Sequence, residues 1–84
     1  MAEMLFVVGF PASVTDEELY SLFASVGQVL SARVVKGLAG ESLRFGFVEM
    51  ASKADAVQAK QALHRTAFKG ERLIVNVGIH NDHE

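Results

Sequence analysis

Two segments of this chain repeat their apolar residues at helical spacing, and each is set between short apolar runs bounded by turn residues. In the first, Leu19, Leu22, Phe23 and Val26 follow one another at i, i+3, i+4 and i+7, lining one face of a helix that is expected to end at Gly27. Thr15-Asp16-Glu17-Glu18 stands immediately before them. Thr15 can accept from the Glu18 amide while Glu18 reaches back to the Thr15 amide, which is the reciprocal arrangement of a capping box. The three acids also suit the positive end of the helix dipole. In the second segment Ser52 stands as N-cap with Asp55 three residues on, and Ala56, Ala59 and Leu63 form an inner face small enough for close approach to a sheet.

The remaining apolar runs read as strands. Leu5-Phe6-Val7-Val8 is closed by the breaker cluster Gly9-Phe10-Pro11, and Val29 to Lys36 is rich in β-branched residues. Gly37 to Ser42 is a glycine-containing hairpin connection, Leu43 to Met50 is a third strand, and Leu73 to Val77 is the last. The order is strand–helix–strand–strand–helix–strand. This predicts an α+β fold, a ferredoxin-like βαββαβ sandwich in which both helices cover one face of a four-stranded antiparallel sheet. Residues 1–80 are expected to form a single domain, with 81–84 as a polar tail.

Helices on one side leave each strand a covered and an uncovered face. Phe45, Phe47 and Glu49 share one face of the third strand; Arg44, Gly46, Val48 and Met50 share the other. Periodicity does not choose between them, because the two sets are about equally apolar. Glu49 does, since an unpaired buried carboxylate costs several kcal/mol. Phe45 and Phe47 are therefore expected on the open face, with Gly46 allowing a helix to approach from the other side. In the first strand Leu5 and Val7 point inward, and Phe6 and Val8 outward. An exposed cluster of Phe6, Phe45, Phe47, Val8 and Ile74 is an apolar patch that needs a ligand, and a protein partner or a second copy of the chain could cover it.

Charge alone does not suggest a nucleic acid. The net charge is −2, and Asp82 and Glu84 account for all of it, so the remainder is balanced rather than basic. The chain has no cysteine, which removes disulfides and thiolate metal sites and suits a reducing, cytoplasmic setting. No apolar run approaches the ~20 residues of a membrane span. The opening Met1-Ala2-Glu3-Met4 lacks the basic region of a secretory leader, so none is expected.

Two segments resemble signatures of a known family. Leu5-Phe6-Val7-Val8-Gly9-Phe10 is similar to the hexamer RNP motif of the RNA recognition motif (RRM), and Leu43 to Met50 is similar to its octamer motif. The resemblance runs from Leu5 to Val77, including the Ala56, Ala59, Leu63 pattern and Phe68-x-Gly70-x-x-Leu73-x-Val75. It implies a stand-alone single-RRM protein of the small bacterial type, binding single-stranded RNA, with single-stranded DNA as a related ligand. In the family, residues matching Phe6 and Phe45 each stack on a base and the one matching Phe47 packs on a ribose. Every base has a π-face, so each stack contributes ~1–3 kcal/mol without needing charge.

The chain also departs from that pattern. The octamer usually opens with a basic residue and then glycine; here Leu43 and Arg44 stand there. Leu43 cannot pair with a phosphate, and Arg44 should start on the helix side and reach one only at the sheet edge. The hairpin loop offers Glu41 and no cation, and Glu71 stands where arginine is frequent. The charges left for the open face are Arg33, Lys36 and Arg72, with Asn76 as a hydrogen-bonding group. Main-chain groups near Gly78 and Ile79 could read base edges. Few phosphate contacts imply a shallow salt dependence.

No catalytic constellation is expected. Acylphosphatases share the topology but need an arginine after the first strand, where this chain has Gly9-Phe10-Pro11-Ala12-Ser13; ferredoxins need cysteines. Asp16 to Glu18 is helix-start chemistry rather than a metal site. His80 and His83 lack a third ligand, and His64 is expected as a surface residue at the end of the second helix. No cofactor is expected.

Overall fold

Helix α1 (Asp16–Ala24) begins where the sequence places it. The Thr15 hydroxyl accepts from the Glu18 N–H at 3.1 Å, and the Thr15 N–H donates to Glu18 Oε1 at 3.1 Å, closing the capping box. The helix ends earlier than its apolar spacing suggests. Ser25 is the C-cap and its hydroxyl donates to the Leu22 carbonyl at 2.6 Å, while Val26 packs on the core from beyond the helix. Helix α2 (Lys53–Leu63) starts at Ser52, whose Oγ accepts from the Asp55 N–H at 3.1 Å. These features belong to a computed structural model that describes residues 2–77.

Strands β1 (Glu3–Val8), β2 (Val29–Lys36), β3 (Ser42–Met50) and β6 (Ile74–Val77) form one antiparallel sheet in the order β2-β3-β1-β6. The two strands carrying the RNP-like segments are therefore the central pair. Between α2 and β6 the chain adds a feature that sequence reading does not anticipate. Strands β4 (Ala67–Phe68) and β5 (Glu71–Arg72) pair as a separate two-stranded ladder. Their two-residue turn, Lys69-Gly70, has φ of 52° and 85°. Positive φ at both central residues matches the twist of a tight hairpin, and only Gly70 signals it in sequence.

Both helices pack on one face of the sheet. Leu5, Val7, Val48, Met50 and Val75 from the strands meet Leu19 and Phe23 of α1 and Ala56, Ala59 and Leu63 of α2. Leu22 of α1 lies only partly buried at the margin of this core. Phe10, read above as part of a breaker cluster, is fully buried in it. Leu73, expected to start the last strand, is buried just before β6. Gly46 allows the expected close approach: a Cβ there would run into the Arg33 carbonyl oxygen and meet Leu19 Cδ2 at 3.2 Å.

The outer strands are closed by side chains. On β2, Asp16 Oδ1 accepts from the Val34 N–H at 2.7 Å and the Tyr20 hydroxyl donates to the Val29 carbonyl at 3.3 Å. On β6, His64 Nδ1 accepts from the Val75 N–H at 3.0 Å. An edge strand otherwise offers such groups to another chain. His64 is thus a half-buried structural acceptor rather than the plain surface residue its position suggests.

Candidate nucleic-acid interface

The register of the four strands fixes which side chains stand beside one another on the uncovered face. Phe6 of β1 lies opposite Phe47 of β3 on one side and Asn76 of β6 on the other. Phe47 in turn lies opposite Arg33 of β2. One continuous row therefore crosses all four strands: Asn76, Phe6, Phe47, Arg33. The next row is Ile74, Val8 and Phe45. On the other flank Met4 lies opposite Glu49 and Glu49 opposite Ser31, whose hydroxyl donates to Glu49 Oε1 at 3.4 Å.

The rings form a connected cluster. Phe6 meets Phe45 edge-on with centroids 5.4 Å apart and planes at 62°, and meets Phe47 at 5.4 Å and 42°. Such pairs add about 0.5–1.5 kcal/mol beyond burial and hold each ring in place. Phe47 remains 39% exposed, and Phe6, Phe45, Val8 and Ile74 are half-buried. Glu49 identifies the wet face correctly: Phe45, Phe47 and Glu49 all have solvent access, while Gly46, Val48 and Met50 are buried. The result is an aromatic floor with an amide at one end and a guanidinium at the other.

The cations are distributed unevenly. Arg33 joins the aromatic row directly. Lys36 pairs with Ser42, about 10 Å along β3 from Phe45 at ~3.3 Å per residue. Arg72, expected among the charges of the open face, lies instead in β5 of the small ladder, opposite Ala67. Among the described residues no ion pair engages Arg33, Lys36 or Arg72. Arg44 differs. Its Nε donates to the Phe10 carbonyl at 3.3 Å and its Nη2 pairs with Glu71 Oε2 at 3.3 Å, so its side chain is turned toward the β1–α1 connection. Glu71 was legible only as a missing arginine; its contact with Arg44 has no local sequence signal.

The β2–β3 hairpin carries no cation. Glu41 closes it, its carbonyl accepting from the Gly37 N–H at 2.8 Å and its carboxylate from the Ala39 N–H at 3.1 Å, and Leu38 is fully exposed at the tip. Among the described residues no group of three metal-ligating side chains comes together, and no helix is long and apolar enough to cross a membrane. Gly78, Ile79, His80, His83 and the expected tail over 81–84 lie outside the described residues.

The RNA recognition motif family matches residues 5–74, spanning both RNP-like segments and both helices. The chain belongs to the RNA recognition motif family. The RRM is 36% identical over 78 residues to polyadenylate-binding protein 6 of Arabidopsis thaliana, covering 93% of this chain and 14% of that protein. It is 34% identical over 73 residues to the Sex-lethal homolog of Megaselia scalaris, covering 86% of this chain and 23% of that one. Less than a quarter of either relative's length is thus represented, and both are eukaryotic, which gives no support to a bacterial type. Among solved structures, the crystal structure of the RNA-binding protein PG1 superposes with a TM-score of 0.89 at 35% identity, covering 94% of this chain and 96% of that one. The Sex-lethal protein–RNA complex superposes with a TM-score of 0.87 at 28% identity, covering 95% and 48%.

Proposed function

We propose that this RRM binds single-stranded RNA across the open face of its sheet, holding roughly two to four nucleotides. The observation that carries this reading is the connected Phe6–Phe45–Phe47 cluster on the uncovered side of the two central strands. Bases stack on Phe6 and Phe45, a ribose rests on Phe47, and Val8 and Ile74 extend the apolar floor. Asn76 offers an amide at one end of the row, Arg33 meets a phosphate at the other, and Lys36 and Arg72 serve the backbone farther out. Stacking does not require the 2′-hydroxyl, so single-stranded DNA is a weaker ligand of the same floor. The role is binding rather than catalysis, and a cytoplasmic one in the handling of RNA after transcription.

Fluorescence anisotropy with a short labelled single-stranded RNA tests this. Phe45→Ala is expected to weaken binding by ~1–3 kcal/mol, roughly 5- to 150-fold. Equal affinity in the variant would remove the floor from the account.

A second reading is favoured by the balanced charge and the cation-free hairpin: the same apolar face docks on a protein partner or a second copy of the chain. Sedimentation at several protein concentrations separates the two. Self-association through the floor predicts a mass that rises with concentration and falls when RNA is added.

A further inference from the structure

Arg44 occupies the octamer position at which the motif carries glycine, and it does so at φ 65°, in the left-handed region that side chains disfavour. An arginine held there against its backbone preference has compensating contacts. Its N–H donates to Ser42 Oγ at 3.0 Å and its carbonyl accepts from the Gly9 N–H at 3.2 Å. Its guanidinium donates to the Phe10 carbonyl and pairs with Glu71. Two of the five guanidinium donors are thereby engaged, and among the described residues the others have no partner. The pair is not buried: the side chains are 51% and 44% exposed, so water screens the attraction and another anion can compete for the arginine. Phosphate is such an anion, since its oxygens match the guanidinium fork. Arg44 is also the residue immediately before Phe45.

We propose that Glu71 is a positioning residue that limits the affinity of this RRM for RNA by holding Arg44 in an internal ion pair. A phosphate of a strand crossing Phe45 competes with the Glu71 carboxylate for the Arg44 guanidinium. A cation one residue along β3 from Phe45, turned toward the β1–α1 connection, is therefore present but attenuated, and the charge that attenuates it stands where arginine is frequent in the family. This inference rests on the sheet-binding reading above.

The test measures affinity for a random-sequence eight-nucleotide single-stranded RNA across a salt series. Glu71→Gln is expected to bind about three- to tenfold tighter and to steepen the salt dependence by about 0.7, the increment of one added phosphate contact on a single strand. The gain should vanish in an Arg44→Gly background, which places glycine at a left-handed position and so preserves the fold. Glu17→Gln, the same charge change on the helix side, should leave affinity and slope unchanged. Wild-type affinity and slope in Glu71→Gln overturn the inference, as does a gain that survives Arg44→Gly or is matched by Glu17→Gln. If Phe45→Ala weakens binding while Glu71→Gln is silent, the aromatic floor stands and only this inference falls. A wild type that binds no RNA overturns both.

Discussion

Phe6 and Phe47 stand directly opposite one another across the β1–β3 ladder, with ring centroids 5.4 Å apart, and Phe6 makes the same approach to Phe45. Phe6 is thus the hub of the cluster, and its loss should act twice: one stacking surface disappears and the other two rings lose the contact that orients them. Phe6→Ala is expected to weaken RNA binding more than Phe47→Ala, which removes a ring at the margin. Anisotropy titrations of both variants, with circular dichroism to establish that each is folded, decide the ranking.

Arg33 ends the cross-strand row beside Phe47 and carries no internal ion pair among the described residues. Its charge is free to meet a phosphate. Arg33→Ala should reduce the salt slope of RNA binding by about 0.7 and weaken affinity similarly across RNA sequences. A variant whose slope matches the wild type would show that Arg33 is only a solvated strand residue.

Gly46 couples the core to the open face. A methyl group there would collide with the Arg33 carbonyl, a backbone atom that cannot swing aside, and would crowd Leu19 from below. Gly46→Ala is expected to destabilise the domain by about 1–3 kcal/mol through overpacking. Because the displaced strand carries Arg33, binding should weaken as well. Urea unfolding followed by titration of the folded variant measures both effects.

Glu18 links α1 to the small hairpin as well as closing its own helix. Its hydrogen bond from Lys69 Nζ at 2.8 Å, seconded by the Thr15 N–H, holds the carboxyl below its ordinary value near 4.5. A depressed folded-state value means that the unfolded chain takes up the proton first. The contribution is therefore complete above pH 4.5 and is lost as the pH falls below it. Glu18→Gln keeps the capping-box geometry and removes the charge. Thermal melts from pH 7 to pH 3 should show the gap between wild type and variant narrowing on the acid side; a constant gap would contradict the assignment.

Much of this architecture could be read from residue types. The capping box, the inward alanines of α2 and the span Val29–Lys36 coincide with the structure. One carboxylate, Glu49, distinguishes the two faces of β3, because the cost of burying a charge outweighs any ambiguity in apolar spacing. What stayed hidden depends on partners distant in sequence. Nothing local to Phe10 distinguishes a core ring from a turn residue. Nothing in Lys69 announces a left-handed turn position, and nothing near His64 shows that its imidazole closes β6. Arg44 and Glu71 each looked like a departure from the family pattern, and only the structure shows that the two departures meet.

Binding of RNA by the open face is read residue by residue in a backbone-amide NMR titration with short random-sequence single-stranded RNA, on the wild type and on Phe45→Ala. RNA stacked on the open face should concentrate the shifts at Phe6, Arg33, Phe45, Phe47 and Ile74, and the substitution should weaken them. A sheet that stays unresponsive at millimolar RNA would contradict binding by this face.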